Sequence, residues 1–156
     1  PISLLFPYTT LFRSEIVLAV VEELRSGYID SVPSGTPIVI AGDYNMVGSD
    51  ASLRVLRDGQ GGAGGPDWDG TPLRDLHPLQ LGGRSSATWR DDGTPFGAGR
   101  LDYVLFTDSV MRVSRSFVLE PAALTADRQK AMGVLAEDTA SASDHLPIVA
   151  DFVLHP

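Results

Sequence analysis

Residues 37–45 read PIVIAGDYN, a short apolar run followed directly by a polar cluster. The continuous apolar residues Pro37–Ala41 predict a central strand that is buried on both faces. In α/β sheets, sites form beyond the carboxyl ends of the strands, where Asp43 and Asn45 follow. If the extended conformation persists, these two side chains lie on one side and Tyr44 on the other. The alternative is an ordinary turn, because Gly, Asp and Asn are common turn residues.

Helical and strand-like segments alternate outward from this stretch. An apolar stripe (Ile16, Val17, Val20, Val21, Leu24) predicts a helix over Glu15–Ser26. Gly42 is expected to end the first strand, and Ser49 to cap a helix over Asp50–Arg57 with Leu53 and Leu56 inward. Further strands are predicted at Ala87–Trp89, Leu101–Phe106, Met111–Leu119 and Pro147–Leu154, and a loop with uncertain helix between Glu120 and Ala142. Interleaved helices and strands indicate an α/β fold, and the closer spacing of the later strands indicates a mixed sheet with antiparallel pairs.

Composition sets wide limits on function. The 156 residues suggest one domain or a large piece of one, and 43% hydrophobic content is enough for a core. The absence of cysteine excludes disulfides and thiolate metal sites. A net charge of −8 repels a phosphate backbone unless a basic groove or bound cations compensate, and the arginines are scattered singly. No apolar run is long enough to span a bilayer.

A second polar cluster lies at residues 100–106, RLDYVLF, where Asp102 interrupts an apolar strand. Burying an unpaired carboxylate costs several kcal/mol, so Asp102 requires a partner. Arg100, two residues away on the same face, is one candidate. A histidine is the other, in which case the carboxylate would fix the tautomer and orientation of the ring.

A third cluster, SDHLP at residues 143–147, precedes the last predicted strand. Asp144 could ligate a hard cation while the imidazole of His145 faces a substrate. The alternative is an ordinary Ser-Asp turn at the start of a strand. Oxygen ligands without thiolates favour Mg²⁺ or Mn²⁺ over structural zinc.

Four strings in this order resemble the endonuclease/exonuclease/phosphatase superfamily: GDYN at 42–45, SATW at 86–89, RLDYVLF at 100–106 and SDHLPIVADF at 143–152. The resemblance extends over Glu15–Leu154, and the ordered set is far more specific than any one string. It implies an incomplete four-layer α/β sandwich of the DNase I-like type, represented by its C-terminal half.

The resemblance also implies a role for each polar residue. Asp43 would position or activate the attacking water and contribute to the metal site. Asn45 would hold the nucleophile or a phosphoryl oxygen. Asp102 would orient His145, whose ring would hydrogen-bond the phosphoryl group as negative charge builds. Asp144 would help to hold the catalytic cation, Mg²⁺ or Mn²⁺.

The SATW string adds a candidate substrate contact at Trp89. In the family, the corresponding strand lies near the substrate face. The alternative interpretation for Thr88 and Trp89, which we prefer, is strand packing, because aromatic residues are common in strands.

The implied function is a divalent-metal-dependent phosphoester hydrolase, most readily a phosphodiesterase or nuclease-like enzyme that uses in-line attack by water. Two alternatives stay open: a phosphomonoesterase or sphingomyelinase-like enzyme acting on a small or lipid phosphate, and a non-catalytic member that binds a phosphoester or a partner. The substrate class (nucleic acid, lipid or small molecule), the compartment and the oligomeric state do not follow from the sequence.

The N-terminal residues require a separate interpretation. Residues 6–14, FPYTTLFRS, match the translation of a common sequencing-adapter oligonucleotide, so we expect residues 1–14 to be foreign. The alternative is a natural edge strand. Glu15–Pro156 would then be the C-terminal portion of the family domain. The family's first half supplies an Asn, a Glu metal ligand and a His or Tyr, none of which can be assigned here, so we expect a truncated chain with weak or no activity.

Overall fold

A computed structural model describes residues 16–23, 26, 33–46, 48–60 and 64–156. The chain divides into two compact units. The first unit comprises the chain up to Leu76, Tyr103–Arg112 and Leu154–Pro156, and the second comprises His77–Asp102 and Val113–Val153. The adapter-like segment and Leu24 of the predicted first helix lie outside the described residues.

The sheet of the first unit contains three strands: β1 (Val39–Asp43), β2 (Arg74–Asp75) and β3 (Asp102–Phe106), in the order β1-β3-β2. Strand β2 is antiparallel to β3, with Arg74 opposite Phe106. The N–H of Thr107 donates to the carbonyl of Ile38 at 3.1 Å, which joins the end of β3 to the start of β1.

Strand β1 corrects two predictions. It lies at an edge of the described sheet, and its side chains are mostly exposed, so the expectation of a central strand buried on both faces is wrong. Gly42 does not end the strand, which continues to Asp43. An apolar run indicates that its residues can be buried, but strand pairing and packing decide how many faces of the strand are covered.

Two helices pack in the first unit: α1 (residues 16–23) and α2 (Ala51–Asp58). Leu53 and Leu56 are buried, as predicted. The N-cap of α2 is Asp50, not Ser49, whose hydroxyl instead accepts from the N–H of Ala51 at 3.3 Å. The core cluster comprises Leu18, Tyr44, Leu53, Leu56, Leu73 and Leu105.

The apolar face of α1 differs from the predicted stripe. Leu18 and Val21 are buried, whereas Ile16 and Val20 are half-exposed. An apolar run with several possible stripes therefore left the inward face undecided, and packing against the core selected it.

The second unit is built around β4 (Met111–Val118) and β5 (Ile148–Leu154), a two-stranded sheet. Hydrogen bonds from the N–H of Leu119 to Pro147 and from that of His155 to Val110 show that these strands are antiparallel. Both strands agree with the sequence prediction to within one residue at each end.

The connection between β4 and β5 contains more helix than the sequence predicts. It includes a 3-10 turn (Pro121–Ala123), α3 (Ala126–Met132) and α4 (Asp138–Ala142). Helix α3 begins at the cap Thr125, whose side chain accepts from the N–H of Arg128, and it ends at Gly133 in the left-handed conformation.

The predicted strand Ala87–Trp89 is absent as a strand, which is a further correction. Trp89 instead forms isolated bridges with Gly99 and His145. The described residues nevertheless interleave helices with strands, as expected for an α/β fold. None of the described helices is long and apolar enough to cross a membrane.

Candidate active site

The imidazole of His145 and the carboxylate of Asp102 are in direct contact. Nδ1 of His145 lies 2.8 Å from Oδ2 of Asp102, and the two side chains are 32% and 22% exposed. An ionised carboxylate accepts the Nδ1–H, fixes the tautomer and stabilises the imidazolium form. Partial burial strengthens this interaction because less water competes with it. Of the two partners that the sequence left open for Asp102, the histidine therefore contacts it.

Thr88 holds the start of β3 next to this pair. Its fully buried side-chain oxygen accepts from the N–H groups of Leu101 (3.0 Å) and Asp102 (2.9 Å). Its carbonyl accepts from the N–H of Leu146 at 2.7 Å, one residue after His145. Thr88 thus connects the segment that carries Asp102 to the segment that carries His145. The sequence interpretation as packing missed this role, because nothing in a single string reveals which distant N–H groups a hydroxyl will meet.

Trp89 and Asp144 form a second contact in the same unit. The indole Nε1–H donates to Oδ2 of Asp144 at 2.7 Å, and the N–H of Arg90 donates to the carbonyl of Asp144 at 2.9 Å. The indole hydrogen bond holds the pKa of the Asp144 carboxyl below its usual range. Trp89 therefore orients the carboxylate of Asp144, which is a more specific contact than the strand packing preferred from sequence.

Asp43 and Asn45 form a self-contained turn in the first unit. The backbone N–H of Asn45 donates to Oδ1 of Asp43 at 2.9 Å, and its side-chain amide donates to Oδ2 at 2.7 Å. Asn45 has a left-handed φ of 46°, which asparagine tolerates better than most residues. The chain is therefore turned at Asn45, as the alternative interpretation held.

Tyr44 lies on the other side of this turn. It is buried in the core, with its ring edge-on to Tyr103 at a centroid distance of 5.8 Å. Burial raises the pKa of Tyr44 to about 12. Asp43 and Asn45 are exposed, but the extended conformation on which the predicted division of sides depended ends before Asn45.

The fit of a divalent cation can be judged from the oxygen donors. Across the described ranges, no group of three or more His, Asp or Glu side chains could hold a metal ion. Asp43 has both oxygens engaged by Asn45, and Asp144 has one engaged by Trp89. Divalent cations such as Mg²⁺ and Ca²⁺ take six or more oxygen ligands, so a complete coordination shell needs donors beyond these two aspartates.

Comparison with known proteins gives one result. The model of the Endonuclease/Exonuclease/phosphatase family matches residues 10–145, which is most of the chain. No curated protein and no solved structure matches. The matched range includes Asp43, Asn45, Asp102 and His145.

Proposed function

Because the chain belongs to the Endonuclease/Exonuclease/phosphatase family, we propose that it is a phosphodiesterase that uses in-line attack by water. Members of this family are usually hydrolases of phosphoesters and generally use divalent metals such as Mg²⁺. The observation that best supports the proposal is the contact between Asp102 and His145, because an oriented imidazole is the group that such a reaction needs beside the phosphoryl oxygens.

We assign the phosphoryl contact to Nε2 of His145. The carboxylate of Asp102 stabilises the imidazolium, so Nε2 can donate a hydrogen bond that strengthens as negative charge builds on the phosphoryl oxygens. A donor that is already oriented before the reaction loses no free energy to reorganisation. Asp102 acts through the ring and is a positioning residue.

We assign the nucleophile to the turn formed by Asp43 and Asn45. The Asp43 carboxylate can accept a proton from water, and the Asn45 amide can hold that water or a phosphoryl oxygen. Displacement at phosphorus requires the water to lie opposite the leaving oxygen.

We further propose that activity depends on Mg²⁺ or Mn²⁺, with Asp43 and Asp144 among the ligands. When bound, such an ion polarises a phosphoryl oxygen and stabilises the leaving oxygen. Removal of divalent ions with EDTA should abolish turnover, and Mg²⁺ or Mn²⁺ should restore it. Full activity in EDTA would contradict this part of the proposal.

The direct test is hydrolysis of bis-p-nitrophenyl phosphate by the chain, at high protein concentration with Mg²⁺. We expect release of p-nitrophenol above the buffer rate, lost in Asp43→Ala and His145→Ala. His155→Gln is the matched control, since this histidine contacts the carbonyl of Asp108 in the first unit. Unchanged rates in both site variants would overturn the residue roles. Faster cleavage of p-nitrophenyl phosphate than of the diester would favour a phosphomonoesterase.

A further inference from the structure

The main chain at His145 belongs to a short antiparallel bridge in the second unit. On one side of it, the N–H of Arg90 donates to the carbonyl of Asp144 at 2.9 Å. On the other side, the N–H of Leu146 donates to the carbonyl of Thr88 at 2.7 Å. His145 is therefore in a non-hydrogen-bonded pair of the bridge, and its own N–H points away from the neighbouring segment.

The side chain of Ser143 provides the acceptor for this N–H. Its Oγ accepts from the N–H of His145 at 3.0 Å. Ser143 is extended and directly follows α4, where its own N–H donates to the carbonyl of Thr139 at 2.8 Å. The bond from His145 to the hydroxyl closes a turn around Asp144 and restrains the backbone torsions within it. Ser143 thus sets the direction in which the side chains of Asp144 and His145 leave the main chain.

The Ser143 hydroxyl is a donor as well as an acceptor. The pKa of the Asp144 carboxyl is held low mainly by the indole of Trp89, and a hydrogen bond from Ser143 adds a smaller lowering. The hydroxyl therefore contacts Asp144 through its hydrogen and the main chain of His145 through its oxygen. One exposed side chain links two neighbouring residues of the candidate site.

The position of Nε2 on the His145 ring depends on two restraints. Asp102 holds Nδ1 at 2.8 Å, which fixes one point of the ring. The main chain fixes the other point, because it sets the position of Cβ. A displacement of about 1 Å at a reacting group can lower a rate by about 100-fold. A small rotation of the main chain at His145 would therefore be felt at Nε2.

We propose that Ser143 is a positioning residue, whose hydroxyl holds the main chain of His145 so that Nε2 faces the phosphoryl group. This role rests on the proposed function and adds a residue to it. The sequence allowed an ordinary Ser-Asp turn at this position as an alternative to a functional cluster. The turn is ordinary in form, but it encloses Asp144 and ends at His145, so a common local motif orients the candidate site.

The first test uses NMR spectroscopy of the chain without substrate. Ser143→Ala removes the hydroxyl, whereas Ser143→Thr keeps it on a β-branched side chain that suits extended backbone. We expect the ¹⁵N chemical shifts of the His145 ring to move in Ser143→Ala and to return toward those of the unaltered chain in Ser143→Thr. Unchanged ring shifts in Ser143→Ala would overturn the positioning role, whether or not the chain hydrolyses phosphodiesters.

Ser141→Ala is the matched control. Ser141 is an exposed serine of α4, and its N–H donates to the carbonyl of Glu137 at 2.8 Å, a bond that alanine retains. Both alanine variants remove one exposed hydroxyl from the same connection, and we expect only Ser143→Ala to move the ring shifts of His145. Equal changes in the two variants would show that the end of α4, and not the Ser143 hydroxyl, positions the ring.

The second test measures hydrolysis of bis-p-nitrophenyl phosphate by the same variants. We expect Ser143→Ala to lower kcat about tenfold with KM nearly unchanged, since a misdirected donor fails mainly as charge builds, and Ser143→Thr to recover most of the loss. An unchanged kcat in Ser143→Ala would overturn the positioning role and leave the proposed function standing. Ring shifts that follow the hydroxyl in a chain that hydrolyses no phosphodiester would support the positioning of His145 by Ser143 and overturn the proposed function.

Discussion

The turn Asp43–Asn45 and the pair Asp102–His145 contain related chemistry but are built in different ways. The turn is made by residues two apart in sequence, and its hydrogen bonds are exposed to solvent. The pair joins residues 43 apart, is partly buried, and depends on Thr88 for the position of β3. Local sequence can therefore build the first arrangement almost alone, whereas the second exists only in the folded chain.

The largest expected effect comes from a substitution in each of these two regions. Asp43→Ala and His145→Ala should each lower kcat/KM for bis-p-nitrophenyl phosphate by about 10²–10⁴-fold, the usual range for a group that transfers or donates a proton. An unchanged rate in either variant would remove that region from the proposed mechanism.

Asp102→Asn should reduce kcat/KM by about 10–100-fold, the usual range for a group that orients another functional side chain. The amide cannot stabilise the imidazolium and can reverse the tautomer. The ¹⁵N chemical shifts of the His145 ring report this change directly, which a purely structural loss would not produce. Asp151→Asn, an exposed carboxylate paired with Arg115, is the control and should leave those shifts unchanged.

Thr88→Val tests how far the position of the Asp102–His145 pair depends on the hydrogen bonds of Thr88. Valine leaves the N–H groups of Leu101 and Asp102 without their acceptor, which costs about 1–3 kcal/mol in the free energy of unfolding measured with urea. Thr88→Ser retains the oxygen and should recover most of that loss. Equal destabilisation by both variants would show that the methyl group, and not the hydroxyl, matters at this position.

Trp89→Phe should give the smallest effect, a change in pH dependence. Loss of the indole donor raises the pKa of Asp144 toward its ordinary value. A carboxyl whose pKa is lowered on folding contributes stability above its unfolded pKa, and this contribution is lost as pH falls through the folded pKa. In Trp89→Phe, the Asp144 carboxyl therefore no longer makes this contribution to stability. Because Asp144 becomes protonated at a higher pH in the variant, its kcat/KM should begin to fall at a higher pH as the solution is acidified.

A pH–rate profile measured on both proteins checks the Trp89→Phe prediction. Trp68→Phe is the matched control, because that indole donates to the carbonyl of Thr36 in the first unit. If kcat/KM falls at the same acidic pH in Trp89→Phe and in the unaltered chain, the assigned cause of the low Asp144 pKa is wrong.

Some of the fold could be predicted because its pattern is local. Strands β3, β4 and β5 have apolar or alternating runs bounded by turns, and α2 has two leucines on one face that pack inward. Helices α3 and α4 gave no such pattern. They have seven and five residues, and the first buries none of its side chains and the second only Thr139, so no apolar stripe marks them.

By itself, the sequence determined the residue types and the order of the polar clusters, and with them the family to which the chain belongs. It also determined the turn at Asn45, since that turn needs only neighbouring residues. The tertiary structure alone decided that His145 contacts Asp102 and that Thr88 accepts hydrogen bonds from two distant N–H groups. The physical reason is that these contacts join residues far apart in sequence, whose meeting depends on how the strands and connections pack.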